Sequence, residues 1–259
     1  MLASVRNIDT LYPHYKTAGN DRTAFLKAFA LLCMIADHCG VIFFKGIIEF
    51  RAIGRLAFPI YAWCIVVGMG YTRNPLRYSL RLLAALIISQ FFYMKALNHN
   101  LIELNVMATL LMGQLAILGI QYKRYASQYW APVLVLVISL IVRMDYGFKG
   151  VLLIILLYLC RDSRRALIAF MIAFCLFWGE GTGNISKLFG IDFSVLRKVF
   201  NYSSSLFDVV FRLQNLAVFS LILILYPVGW RKRFPAWIGY IAYPGHLLIL
   251  WLLKLAISK

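Results

Sequence analysis

The stretch Phe25-Leu26-Lys27-Ala28-Phe29-Ala30-Leu31-Leu32-Cys33-Met34-Ile35-Ala36-Asp37-His38-Cys39-Gly40-Val41-Ile42-Phe43-Phe44 decides how the chain is read. A helix that crosses lipid needs about 20 mainly apolar residues, and this run has that length with Lys27, Asp37 and His38 as its ionisable members. Comparable apolar runs follow at 53–71, 79–95, 104–121, 130–143, 148–160, 166–178, 213–229 and 236–257. Together they predict an all-α integral membrane protein of about nine spans in one bundle, roughly eight to ten by length and loop economy. Spans 130–143 and 148–160 are short and read as a pair broken around Arg143, Asp145 and Gly147. Non-helical backbone at such depth requires protein or a wet cavity around it.

Composition agrees. The chain of 259 residues is 62% hydrophobic and 14% charged, whereas soluble domains run near one half and one quarter. Lipid must solvate most of it, and no length remains for a soluble catalytic domain. Residues 1–23 read as a cytoplasmic tail without a cleavable signal, and 24–259 as a single polytopic domain. Segment 179–212 is the one long connection, with Gly179, Gly181 and Gly183 followed by an amphipathic stretch carrying Lys187, Arg197 and Lys198. It reads as an interfacial segment or a lid on the outer side. A net charge of +17 would suit nucleic acid, but that requires basic residues gathered on one soluble face. Here they sit in short loops. Cys33, Cys39, Cys64, Cys160 and Cys175 lie in apolar stretches without CxxC or zinc spacing, so no metal is expected.

Basic residues near span ends stay on the cytoplasmic side. With the N-terminus inside, the inner loops hold Arg73 and Arg77, Lys123 and Arg124, Arg161, Arg164 and Arg165, and Arg231, Lys232 and Arg233. The opposite connections are mixed in sign, as with Lys45, Glu49 and Arg51, or Lys95 and Glu103. A bacterial inner membrane, entered many times, fits this pattern. No internal repeat is detected, which weighs against a transporter built from paired halves.

Ionisable groups within a span cost at least about 2.5–3.5 kcal/mol each at the centre, so each asks for a partner or a function. Lys27 and His38 are eleven positions apart, close to three turns and about 16 Å along one helix face. Lys27 then sits near the inner headgroups and His38 beyond the midplane. A snorkelling anchor accounts for Lys27 alone. Histidine titrates nearest neutrality and suits a general base. Asp37, about 100° around the helix, is placed to orient the ring at the lip of the site or to pair with Arg55. Arg55 precedes Pro59 at the start of an otherwise apolar span, where it serves as an end anchor or holds an oxyanion. Gln90, Asn105, Gln114, Tyr243 and His246 are further polar groups on apolar runs, with Pro244 loosening the helix before His246. Taken singly, each reads as interhelical glue.

In their order along the chain these residues resemble the TraX family of membrane proteins, known for N-terminal acetylation of conjugative pilin subunits. The resemblance rests on Lys27 to Asp37-His38, Gly54-Arg55-Leu56-Ala57-Phe58-Pro59, Arg81-Leu82 with Ser89-Gln90, Asn105-Val106, Tyr146-Gly147 with Gly150, and Tyr243-Pro244-Gly245-His246-Leu247. The Lys27-to-His38 spacing is also similar to the basic residue and histidine of the wider membrane acyltransferases that acetylate sugars, where arginine often stands in the position of Lys27. The resemblance implies acetyl transfer from acetyl-CoA to an acceptor amine such as a pilin N-terminus. It implies catalysis by His38 with Asp37, substrate or oxyanion contacts from Arg55, Asn105, Gln90, His246 and Tyr243, and CoA contacts from Lys27, Arg81 and Arg77. A sugar, lipid or small amine is the alternative acceptor. A proton-coupled transporter using Asp37, His38 and His246, or a structural membrane partner, is the alternative of another class.

Overall fold

The computed structural model describes residues 15–180, 182–193, 209–227 and 236–257. Helical segments occupy each of the nine expected ranges. They are α1 (Thr23–Ile42), α2 (Ile48–Gly54), α3 (Ala57–Tyr71), α4 (Pro75–Leu97), α5 (Val106–Tyr122), α6 (Ser127–Ile141), α7 (Gly147–Leu159) and α8 (Arg164–Gly179). A 3-10 segment (Leu213–Phe219) then runs into α9 (Ser220–Leu225), and α10 (Ala236–Ile257) ends the described chain. Among the described residues five stretches are long and apolar enough to cross a membrane: Thr23–Ile42, Ile48–Tyr71, Pro75–Leu97, Arg124–Ile141 and Gly239–Ile257. The others are shorter. The 13 residues of α7 give about 20 Å at 1.5 Å per residue, against a hydrocarbon core of roughly 30 Å.

Helix α3 is the axis of the bundle. It is apolar on every side and buried on every side, from Ala57 and Phe58 through Trp63 to Met69, as expected of a central helix. Helices α1, α5 and α7 pack on it, α10 packs on α4 and α1, and α6 lies outside α5 and α7. The expected span 53–71 is interrupted at Arg55-Leu56, and Pro59 explains the break. Proline has no N–H for the carbonyl four residues back, and its ring crowds that carbonyl, which here belongs to Arg55. The chain turns between α2 and α3, and the arginine is delivered at the bend.

Short connections make neighbouring helices antiparallel. The loops at 43–47, 98–105 and 142–146 thus meet at one end of the bundle, where Leu104 bridges to Met144 as in a parallel ladder. Segment 182–193 joins them as a hairpin, β1 (Lys187–Leu188) paired with β2 (Ile191–Asp192). Its turn residues Phe189 and Gly190 both have positive φ, as a tight two-residue turn requires. Leu188 and Ile185 pack on Ala52 of α2, so this part of the long connection lies on the protein. Arg197 and Lys198 fall outside the described residues, as do 1–14 of the expected tail.

At the opposite end, residues 15–22 are tied to the bundle. The N–H of Ala18 donates to the Arg161 carbonyl at 2.8 Å, and Trp63 Nε1 donates to the Asn20 carbonyl at 2.7 Å. Asn20 Nδ2 in turn donates to the Leu223 carbonyl at 3.0 Å.

Candidate functional site

Two cavities lie toward the two ends of the bundle. The first, of about 370 Å³, is lined by Asp37 and His38 of α1, Arg51 and Gly54 of α2, Arg55 and Phe58 at the bend, Asp145 and Tyr146 of the 142–146 loop, Trp178 of α8 and Gln214, with His99 also on its lining. Its walls come from elements scattered over most of the sequence.

His38 is 7% exposed and His246, from α10, is 6% exposed. Nδ1 of His38 is 3.0 Å from Nε2 of His246, with the rings nearly coplanar at 11°. The proton positions follow from the next partner. Nδ1 of His246 is 3.2 Å from the Ala242 carbonyl, which can only accept, so that nitrogen carries the proton. Nε2 of neutral His246 is then an acceptor, and His38 donates to it from Nδ1–H. Nε2 of His38 is left with its lone pair and has no hydrogen-bond partner among the described residues. A histidine held in one tautomer by a second group, with the other nitrogen free beside a cavity, has the arrangement of a general base.

Asp37 does not orient that ring; His246 does. Arg55 donates to Asp37 Oδ1 at 2.9 Å, and Arg51 approaches the same carboxylate at 3.4 Å. Glycine makes this approach possible, since a Cβ on Gly54 would overlap the Asp37 side chain, and one on Gly40 would come within 2.7 Å of Phe50 Cβ. Arg55 also donates from Nη1 to Gln214 Oε1 at 3.0 Å. The amide orientation of Gln214 is thereby set, because a guanidinium needs an acceptor. Its Nε2 faces no hydrogen-bond partner although the residue is 3% exposed. Arg55 and Gln214 thus form a linked set of donors on the cavity that holds His38. Gln214 carries no sequence signal of its own; only the fold brings it beside Arg55.

The remaining expected site residues are placed elsewhere. Asn105 caps α5 by accepting from the Met107 N–H at 2.9 Å, and its Nδ2 donates to Ser89 Oγ at 3.0 Å and Gln90 Oε1 at 2.9 Å. Gln90 Nε2 donates to the Glu103 carbonyl at 2.8 Å. These groups fix loop 98–105 against α4, and neither side chain lines the cavity. Tyr243 is buried with its ring edge-on to His246 at 5.3 Å. Gln114 accepts from Ser79 Oγ at 2.8 Å, joining α4 to α5.

The second cavity, about 460 Å³, lies toward the other end and is lined by Lys27, Tyr61, Cys64, Tyr78, Leu82, Met107 and Tyr240 among others. The Arg81 guanidinium lies 5.8 Å from the ring centre of Tyr240 and 6.0 Å from that of Tyr78, at the edge of this space. Arg77 is exposed and does not line it; its N–H is taken by the Asn74 cap of α4 at 2.9 Å. Tyr61 belongs to the walls of both cavities.

The family model described as TraX protein matches residues 22–254. The chain belongs to the TraX family. The match runs from the start of α1 nearly to the end of α10, so both histidines and both cavities lie inside the TraX region. No curated protein and no solved structure matches the chain.

Proposed function

We propose that this TraX-family protein moves an acetyl group from acetyl-CoA, bound from the cytoplasm, to an acceptor amine at the outer face, with the N-terminus of a pilin subunit as the acceptor. The observation that carries the reading is the fixed tautomer of His38, whose free Nε2 borders a polar cavity beside the donors of Arg55 and Gln214. With the N-terminus inside, the cavity of Lys27 opens toward the cytoplasm and that of His38 toward the outside. The basic loops 72–74, 123–126 and 160–163 then share the end where the phosphates of CoA arrive. Lys27 and Arg81 are the residues of this chain suited to those phosphates. The apolar and aromatic wall suits the pantetheine arm, which reaches His38 past Tyr61.

The chemistry balances. The acceptor nitrogen attacks the thioester carbonyl carbon and gives a proton to His38 Nε2, while the oxyanion takes hydrogen bonds from Arg55 and Gln214. The C–N bond is then complete, the C–S bond breaks, and the proton on His38 passes to the departing thiolate. His246 stabilises the imidazolium by accepting from Nδ1–H throughout. The Asp37–Arg55 pair holds the guanidinium in place.

A proton-relay transporter would need a continuous path through the histidines. The chain of hydrogen bonds instead ends on the Ala242 carbonyl, which cannot pass a proton onward, and Asp37 is not part of it. That favours a base over a relay.

The test uses purified protein in nanodiscs, acetyl-CoA and a short peptide with a free N-terminal amine. Wild type is expected to release CoA thiol and acetylate the peptide, and His38→Ala to retain CoA binding without turnover. Failure of folded wild type to bind acetyl-CoA, or wild-type turnover by His38→Ala, would sink the proposal.

A further inference from the structure

Asp145 lines the His38 cavity with its backbone committed and its carboxylate in no ion pair among the described residues, its one donor being the adjacent Tyr146 N–H. Its N–H donates to the Leu104 carbonyl at 2.8 Å, and its own carbonyl accepts from the Thr109 hydroxyl. An aspartate just before a helix ordinarily caps it. Here the N-cap of α7 is Tyr146, and no side chain caps that helix. A capping role is therefore ruled out by the geometry. Among the described residues Asp145 makes no ion pair, and the cation across the cavity, Arg55, is held by Asp37 and Gln214. Burial raises the Asp145 carboxyl to about 6; Asp37 pushes the same way, while Arg55, His99 and the Tyr146 N–H oppose it. The ionised group is short of positive charge.

Beside it stands an aromatic wall. The Tyr146 ring stacks on Phe58 with centroids 4.0 Å apart, and Trp178 meets Phe58 at 5.8 Å and Tyr146 at 5.7 Å, edge to face. All three line the same cavity as Asp145. Tyr146 is held at φ 65°, a region that bulky residues seldom adopt. Such a conformation persists where its surroundings over-determine it, and often at a site of function. The Leu104–Met144 bridge on one side and the Phe58 stack on the other do so here. An unpaired carboxylate next to the faces and edges of three aromatic rings is the chemistry that recognises an ammonium group.

We propose that Asp145 and the Phe58, Tyr146 and Trp178 rings form an ammonium-binding subsite in the outer cavity, whose ligand class is a primary amine in its cationic form. The proposal deepens the acetyl-transfer reading by naming how the acceptor is held before His38 takes its proton. Its test needs no thioester, so the two readings fail separately. The docked ammonium first gives one proton to the Asp145 carboxylate, which releases it to the outer solvent; the second passes to Nε2 of His38 as the neutral amine attacks, and from there to the departing thiolate.

The probes are alaninamide and lactamide, which share a shape but carry an ammonium and a hydroxyl respectively. Each is titrated into the full-length protein in nanodiscs without acetyl-CoA and followed by calorimetry. Wild type is expected to bind alaninamide at least about tenfold more tightly than lactamide, the lower range for a desolvated charge contact with aromatic support. Asp145→Asn is expected to bring alaninamide down to the level of lactamide, and Trp178→Leu to weaken it several-fold. Equal binding of the two amides by wild type, or binding of neither, overturns the subsite without any variant having to fold. A folded Asp145→Asn protein with wild-type affinity for alaninamide overturns it as well. Acetyl transfer by wild type with no preference for alaninamide would leave the catalytic reading standing and remove this one.

Discussion

The His38 and Lys27 cavities are built from opposite materials. At the His38 end, charges of both signs are tied to one another, with Asp145 the exception among the described residues: Arg55 and Arg51 to Asp37, Arg55 also to the Gln214 amide, and His99 to Glu103 at 2.7 Å. Loops hold them in place through the Leu104–Met144 bridge and the hairpin on α2. At the Lys27 end, the lining is apolar and aromatic, without a carboxylate or histidine, and Lys27 makes no ion pair among the described residues. A cross-linked network resists rearrangement and suits bond making, where donors must already point at developing charge. An unbalanced cation in an apolar wall suits capture of an anion with a long apolar arm. On the proposed reading, the difference puts chemistry at one end and donor binding at the other.

The sharpest way to break that division is at the histidines. His38→Ala is expected to lower the rate of peptide acetylation by about 10²–10⁴, the range for loss of a general base, with acetyl-CoA affinity unchanged. His246→Ala is expected to fall in the same range although it does not line the cavity, because the tautomer of His38 is released. The measurement is kcat and KM for both substrates in nanodiscs. A His246→Ala enzyme with wild-type kcat would leave His38 without its orienting partner and return His246 to the role of glue between α10 and α1.

Gln214 is next. Gln214→Leu keeps the volume but removes the free Nε2 donor and the acceptor for Arg55, and is expected to lower kcat by about 10²–10³, as when one oxyanion donor is lost. KM for the peptide should stay within a few-fold. A rise in KM alone, with kcat intact, would move Gln214 from the oxyanion to ground-state binding.

The sequence made some of this legible and hid the rest. The apolar runs and the Lys27-to-His38 spacing gave the bundle and its two ends, since both depend only on helix periodicity. Asp37 with Arg55 was within reach, because α1 and α2 are neighbours and glycines at 40 and 54 mark a close approach. The partner of His38 was not, because His246 lies 208 positions away and helix periodicity carries no information on which helices touch. Gln90 and Asn105, taken singly, read as interhelical glue, and their polar atoms do satisfy one another and a helix cap; only the resemblance had put them at the site. The break at Arg55-Leu56 was readable from Pro59, whereas the positive φ at Tyr146 had only the following Gly147 to announce it.

At the inner end, Lys27→Ala is expected to raise KM for acetyl-CoA about tenfold, the scale of one desolvated charge contact, while alaninamide binding at the outer end stays unchanged. Tyr61→Phe should alter neither, because the hydroxyl makes only a long 3.5 Å contact to the Lys27 carbonyl and the ring itself is the shared wall. If Lys27→Ala weakened alaninamide as strongly as acetyl-CoA, the two cavities would be one compartment and the division of labour would be lost.

A further tenfold effect is expected in pH, and it tests the same division from the outer side. Asp145, raised to about 6 chiefly by burial and then by Asp37, binds an ammonium only when ionised. Alaninamide affinity is therefore expected to peak near pH 7, to fall above about pH 8 as its own α-amino group loses its charge, and to fall as pH drops through 6, reaching about a tenth by pH 5, where a carboxyl of that pKa is about one-tenth ionised. The sign is opposite to that of a site whose carboxylate must be protonated to accept its ligand. Arg51, Arg55, His38 and His99 line the same cavity, so the profile alone does not name the group. Asp145→Asn does, because it should flatten the curve at the low value, whereas substitution of His99 should leave a falling limb in place. A profile in Asp145→Asn that still falls through pH 6 would assign the titration to another member of the outer network and detach the ammonium from Asp145.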